Sequence, residues 1–256
     1  MKKNIALFCS LILLLSSCSS DNNYNPPTDD SSQIVLTKKI INKNLNDNSI
    51  VNITEFEYNG NKISKSISQS NKILYTYNGD LITNIKIYDL NDTLLSEYLY
   101  SYQNNNLVET IYKILTSNVC EKRLYTYNAN QTVNYIYYQG DLLTQNTLYK
   151  TGVITIQNEE VVSIIGQDYI NSVSRNSTFT YDNQNNPSKN IIGIDKLKVE
   201  LDRVGGVFKN NISNSTVYNN SQYFNTDFTY VYNLNGYPVT ANYFFNGINF
   251  KNEYFY

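Results

Sequence analysis

Tyr75-Thr76-Tyr77-Asn78-Gly79-Asp80-Leu81-Ile82-Thr83-Asn84-Ile85-Lys86-Ile87-Tyr88 is the stretch whose reading decides the fold. Residues two apart in a strand share a face, so Tyr75 and Tyr77 stand together and Thr76 points the other way. Asn78-Gly79 supplies the positive φ angles of a type I′ turn, which reverses the chain into an antiparallel partner. Simple alternation then predicts Leu81, Thr83, Ile85 and Ile87 on one face, with Ile82, Asn84, Lys86 and Tyr88 on the other. The stretch reads as a β-hairpin.

The same phrase, an aromatic, a small or polar residue, a tyrosine and an asparagine-rich turn, recurs along the chain. Copies are Phe56-Glu57-Tyr58-Asn59-Gly60-Asn61, Tyr100-Ser101-Tyr102-Gln103-Asn104-Asn105 and Tyr125-Thr126-Tyr127-Asn128-Ala129-Asn130. Later ones are Phe179-Thr180-Tyr181-Asp182-Asn183-Gln184 and Tyr230-Val231-Tyr232-Asn233-Leu234-Asn235. The first four copies begin at 56, 75, 100 and 125, a step that suits one hairpin per repeat and about eight repeats in all. Between Thr151 and Arg175 the phrase fades, yet Val153-Ile154-Thr155-Ile156 and Val161-Val162-Ser163-Ile164 still alternate and predict further strands. The expected fold is therefore all-β, an antiparallel meander of repeated β-hairpins, as a curled sheet or barrel-like. Closure would remove the edge strands.

Twenty-five tyrosines in 256 residues need an explanation. Stacked repeats line aromatic pairs into cross-strand ladders, which is packing. The functional reading is a stripe of ligand-binding aromatics, Tyr77, Tyr102 and Tyr127, offering ring faces and hydroxyls to a glycan or a protein ligand.

The later copies, with Asn185-Asn186-Pro187 and Gly236-Tyr237-Pro238 after them, resemble the YD repeats of RHS-type proteins and the tyrosine-rich β repeats of uncharacterised Bacteroidota-type lipoproteins. Most copies carry Asn or Gln where the YD motif has Asp. RHS proteins wind long arrays around a cargo, and about eight repeats are too few for that. Only the strand-and-turn grammar carries over.

The amino terminus points to export. Lys2 and Lys3 precede the apolar run Ile5 to Leu15, which is shorter than the ~20 residues of a spanning helix, and small residues follow. Leu15-Ser16-Ser17-Cys18 resembles the lipobox of bacterial lipoproteins, which implies cleavage before Cys18 and acylation (palmitate or a similar chain) of that residue. The expected organisation is a signal peptide over 1–17, a lipidated cysteine and flexible tether over 18–33, and one repetitive β domain over 34–256. The tether, rich in Ser, Asn, Asp and Pro, is too polar to order itself. Membrane lipid through acylated Cys18 is the expected attachment. The expected location is the bacterial cell envelope, anchored in the outer membrane and facing the periplasm or the cell surface. Asp92-Thr93-Leu94 also resembles the O-glycosylation sequon of Bacteroidota.

Charge and chemistry narrow the function. The chain has 20 Lys and Arg against 22 Asp and Glu, and the signal removes two lysines, leaving a net charge of about −4. A mildly acidic chain lacks the basic footprint of a nucleic-acid binder. There is no histidine, so histidine-dependent triads and histidine metal sites are excluded. No nucleotide fingerprint appears, and no cofactor is expected. With Cys9 in the signal and Cys18 acylated, Cys120 stands alone and reads as a small buried hydrophobe. The acidic candidates for a carboxylate-dependent glycan hydrolase are Glu159-Glu160 and the group Asp195, Glu200 and Asp202. The plainer reading of Ile191–Val207 is a solvated strand face. The expectation is a non-enzymatic binding or structural envelope component, with the hydrolase as one alternative. Another is an integral outer-membrane barrel, prompted by the terminal Phe250-x-Asn252-x-Tyr254-x-Tyr256.

Overall fold

The computed structural model describes residues 34–200, 209–219 and 222–256. Residues 1–33, including Cys18 and the tether, lie outside the described residues, as does Asp202. Sixteen strands hold about two thirds of the described residues. They are β1 (Lys39–Asn44), β2 (Ile50–Asn59), β3 (Lys62–Ile67), β4 (Lys72–Asn78), β5 (Leu81–Tyr88), β6 (Leu94–Gln103), β7 (Asn106–Ile114) and β8 (Val119–Tyr127). The second half comprises β9 (Thr132–Gly140), β10 (Gln145–Gln157), β11 (Glu160–Asp168), β12 (Val173–Tyr181), β13 (Ile212–Asn219), β14 (Gln222–Tyr232), β15 (Pro238–Phe245) and β16 (Ile248–Phe255). Each strand pairs antiparallel with its sequence neighbours, and β1 pairs with β16, Ile40 opposite Tyr254, to close the barrel. Eight hairpins are thus arranged as a meander without crossovers.

The tight turns that follow the tyrosine phrase gather at the end where the chain enters, here called proximal. Gly60 and Gly79 hold φ of +62° and +56°, as their Asn-Gly turns require. Asn104 and Asn105 adopt the same left-handed region at φ 51° and 60° without a glycine.

Simple alternation fails just after these turns, and the failure has one cause. Tyr77 pairs with Ile82 but Thr76 pairs with Asn84, so Thr83 is an extra, bulged residue. Ile82 and Ile85 are therefore both buried, and the expected grouping of Leu81 and Thr83 with Ile85 is corrected. Ser64, Val108, Val162, Ser213 and Val239 are bulged at the equivalent place. Leu107 thus shares the inner face with Thr110 and Tyr112, which strict alternation along β7 would have set on the opposite face. Bulges bend a strand and raise its twist, which is what a curled sheet needs in order to close.

A bulge leaves a ladder carbonyl without its regular partner, and here tyrosines from the next hairpin supply the donor. Tyr102 Oη donates to Ile82 O at 2.7 Å, Tyr230 Oη to Ile212 O at 2.9 Å and Tyr256 Oη to Pro238 O at 2.8 Å. Tyr181 does the same for Val161 O. Each of these carbonyls belongs to the residue just before a bulge.

The largest departure from expectation is the β12–β13 connection. Ile191–Glu200 is no solvated strand. It carries a short 3-10 helix, Ile194–Leu197, and buries Ile191, Leu197, Val199 and Glu200. The segment spans the proximal mouth. Ile192 N–H bonds Asn61 O at 3.0 Å on one side, and Asn185 N–H bonds Gly236 O at 2.9 Å on another. Its apolar residues pack on the inner face of β4–β11, so the main core lies inside the barrel.

Candidate functional site

The inner face of β7 and β8 carries charge where a core would ordinarily be apolar. Glu121, Arg123 and Tyr125 alternate along β8 on the lumenal side and are all buried. Arg123 donates to Glu121 Oε2 through Nη2 at 2.7 Å and to Glu200 Oε2 through Nη1 at 2.6 Å. Glu200 Oε1 accepts from Thr110 Oγ1 and from Tyr125 Oη, both at 2.5 Å. The Arg123 guanidinium also lies over the Tyr137 ring at 4.8 Å and the Tyr112 ring at 5.6 Å. Burial works against the charge on Arg123, but its neighbours, Glu200 foremost, push its pKa up. Burial, and next Glu200, raises Tyr125, which therefore remains a hydroxyl donor. A buried ion group of this kind fixes geometry more than it adds stability. What it fixes is the β12–β13 connection, held to the wall by Glu200.

Beside this group lies a cavity of about 180 Å³. Tyr135, Tyr137, Ile154, Ile164 and Val199 form its apolar lining, and Lys150, Asp168 and Arg175 its charged side. Lys150 Nζ stands 4.0 Å from Asp168 Oδ2, and Arg175 Nε donates to Ser177 Oγ at 2.9 Å. Gly152 and Gly166 face each other across β10 and β11. A Cβ on either would lie 2.4 or 1.9 Å from the Tyr135 hydroxyl. These two glycines let the Tyr135 side chain lie close against the wall.

The aromatics singled out from the sequence do not stand on an outer surface. Tyr77, Tyr102 and Tyr127 pack, partly buried, against the inner core. Tyr77 Oη donates to Ile192 O at 3.2 Å, and Tyr102 Oη is engaged with Ile82 O. Tyr127 lies against the Leu107 backbone, and burial pushes its pKa up to about 12. Cys120 is free and fully buried, and burial raises its thiol.

The acidic candidates are used separately. Exposed Glu159 pairs with Lys209 at 3.0 Å. Buried Glu160 accepts the backbone N–H groups of Lys209 and Asn210 at 2.9 and 2.7 Å, securing the return of the β12–β13 connection. Asp195 pairs with Lys196 at 2.8 Å, and Glu200 belongs to Arg123. Among the described residues no group of three His, Cys, Asp or Glu is placed to hold a metal ion.

The outer face carries ion pairs and amides beside exposed apolar side chains such as Ile136, Val153, Ile165 and Val231. Lys65–Glu57 at 2.6 Å, Lys86–Glu97 at 3.7 Å, Lys122–Glu109 at 3.3 Å and Lys43–Glu253 at 2.8 Å join neighbouring strands on the outside. On the opposite wall Asn214 Nδ2 bonds Asn225 Oδ1 at 2.9 Å and Asp227 Oδ1 at 2.6 Å.

In fold, the chain is similar to a porin-like protein. The crystal structure of a porin-like protein from Bacteroides vulgatus ATCC 8482 matches with a TM-score of 0.57 and 14% identity, covering 87% of this chain and 99% of that one. A porin-like protein from Bacteroides uniformis ATCC 8492 has a TM-score of 0.45 and 13% identity, over 86% of this chain and 97% of that one. At such identities the likeness concerns the fold alone. No protein-family model and no curated protein matches the sequence.

Residues Glu121, Arg123, Lys150, Asp168 and Arg175 were not singled out in the sequence. The signal was present in part: Glu121 and Arg123 share the phase of Tyr125 and Tyr127, and that phase is the inner one. Gly152 and Gly166, glycines inside strands, were the other clue.

Proposed function

We propose that this protein is a lipid-anchored barrel of the bacterial envelope that works in water as a non-enzymatic binding component. The observation that carries the reading is the outer wall. A membrane barrel needs an apolar band ~25 Å tall, and each Lys or Arg at the bilayer midplane costs ~2–4 kcal/mol. Here Lys–Glu pairs cross the outer face of β1–β8 and β16, and asparagines and threonines occupy that of β12–β14. The β12–β13 connection across the proximal mouth also argues against an open channel. Lipobox residues Leu15 to Cys18 supply the anchor in this reading, and the outer membrane is its expected site. The YD-like repeats are then the hairpin units of the wall.

A second reading, an integral outer-membrane barrel, is favoured by the likeness in fold to the porin-like protein from Bacteroides vulgatus. Replacing Cys18 with Ala in the full chain separates the two. The anchored-barrel reading expects the variant to leave the membrane fraction as a folded, detergent-free protein. A variant that stays in the membrane through alkaline carbonate and urea washes establishes the integral barrel instead. Protease shaving of intact cells then reports which side of the membrane the barrel faces.

A further inference from the structure

We propose that the side of the lumen lined by β14–β16, β1 and β2 binds a neutral oligosaccharide. The proposal rests on the binding role proposed above and names its ligand class. Sixteen strands closed into a barrel enclose more space than wall side chains alone fill. The core and the β12–β13 connection occupy the side of β4–β11. Across the barrel the inner residues are less covered. Arg123 and Tyr125 on β8 are 1% and 4% exposed, whereas Phe228, Tyr230, Tyr243 and Phe250 are only partly buried. Phe224 continues the inner phase of β14 to the distal mouth, where it is 43% exposed. The described connections at that end are short turns, and none of them spans the mouth.

The lining defines the ligand. Tyr232, Tyr230 and Phe228 follow one another along β14 with ring centroids 5.7 and 6.4 Å apart. Tyr243 and Phe250 carry the row across β15 and β16 at 5.3 and 5.4 Å, and no two neighbouring rings are inclined by more than 32°. Amides border this apolar strip. Asn42 Nδ2 donates to Tyr243 Oη at 3.1 Å and to Asn252 Oδ1 at 2.7 Å, and Asn52 stands opposite Asn42 on β2. Among the described residues no hydrogen bond reaches Oδ1 of Asn42 or Asn52, so each keeps an acceptor for a ligand hydroxyl. No charged residue takes the inner phase on β14–β16 or β1; Lys39, Lys43, Asp227, Lys251 and Glu253 all take the outer one. An anion would find no cation here, and a hydrocarbon chain would bury the amides without partners. A sugar chain brings C–H faces for the rings and hydroxyls for the amides. Five rings in a row call for several sugar units, not one.

The test uses the full-length protein in a polyoxyethylene detergent, which carries no sugar headgroup. Cellohexaose, maltohexaose, laminarihexaose and mannohexaose are the probes, compared with their disaccharides, with hexagalacturonate as an anion and with a Gly-Ser hexapeptide. Calorimetry is expected to show saturable binding of at least one neutral hexasaccharide, about tenfold or more tighter than of its disaccharide. Phe228→Leu and Phe250→Leu keep apolar volume but remove a ring, and each is expected to weaken binding about fivefold. Phe224→Ala changes an exposed ring at the mouth and should fold even if the others do not; circular dichroism checks this. Its expected loss is about threefold. Four results would overturn the proposal: no hexasaccharide binding at millimolar concentration, disaccharides binding as tightly as hexasaccharides, hexagalacturonate or the peptide binding as well as the neutral sugars, or unchanged affinity in the folded ring variants. Membrane fractionation of the Cys18→Ala variant does not involve the lumen, so the two readings fail independently.

Discussion

Along β8, Glu121, Arg123, Tyr125 and Tyr127 point into the lumen, while Lys122, Leu124 and Thr126 point outward. Both faces carry charge, but under different physical regimes. Inside, Arg123 is 1% exposed and its two carboxylate partners are sequestered with it. Outside, Lys122 and Glu109 remain 38% and 30% exposed at the side chain. Inside, water is excluded, so an ion must keep its partners; outside, water replaces any partner that is lost. The same letters in the sequence thus differ in energetic weight by their phase alone.

The largest expected effect comes from breaking the inner side of that comparison. Glu200→Ala removes one of the two carboxylates on Arg123, takes the acceptor of Thr110 and leaves Tyr125 only its bond to the Tyr137 hydroxyl. Loss of ~3–5 kcal/mol of stability is expected, measured by urea unfolding of the full chain. A loss below 1 kcal/mol would mean that the inner ions are solvated like the outer ones. The connection itself should loosen as well, so proteolysis between β12 and β13 is expected to accelerate.

High pH probes the same face. Burial raises Tyr102 and Tyr181, and Tyr127 is pushed up to about 12. A folded pKa above the unfolded value of about 10 means that this contribution is complete below pH 10. It is lost as pH rises from 10 through 12, where the unfolded chain ionises first. Each such tyrosine should remove ~1.4 kcal/mol per pH unit in that window. Tyrosinate absorbance and circular dichroism are expected to change together; ionisation of the inner tyrosines without unfolding would show that they are wet.

How far this was legible follows from which rules are local. Strands, turns and the eight hairpins depend on residues two to four apart, as in Tyr75-Thr76-Tyr77-Asn78-Gly79, and could be read. The bulge at Thr83 depends on how a neighbouring strand takes up the register, so alternation placed Leu81 and Ile82 on the wrong faces. Closure between β1 and β16 depends on accumulated twist. Glu200 lay in the most charged segment of the chain and looked solvated. Only its meeting with Arg123, 77 residues away, makes it buried. The cavity was least visible, because Lys150, Asp168 and Arg175 come from three strands without a motif among them.

A smaller inner effect sharpens the comparison at a neutral group. Tyr102→Phe keeps the ring and removes only the hydroxyl that serves the carbonyl of Ile82. A cost of ~1 kcal/mol is expected from thermal unfolding, provided the bulge carbonyl is otherwise unpaired. An effect near zero would show that water reaches the bulge at Thr83.

The smallest effect belongs outside. Lys122→Ala deletes one partner of an exposed pair whose Nζ and Oε2 are 3.3 Å apart. Solvent screens both ions in the native state and hydrates Glu109 at once when Lys122 is gone, so a change within ~0.5 kcal/mol is expected. Raising the salt toward 1 M, where the Debye length falls to ~3 Å, should erase even that. A membrane-embedded wall makes the opposite prediction. In lipid, removing Lys122 would strand Glu109 without water, and the cost would approach that of Glu200→Ala. The Lys122 result therefore measures the solvent outside the barrel as directly as the Glu200 result measures the dryness within it.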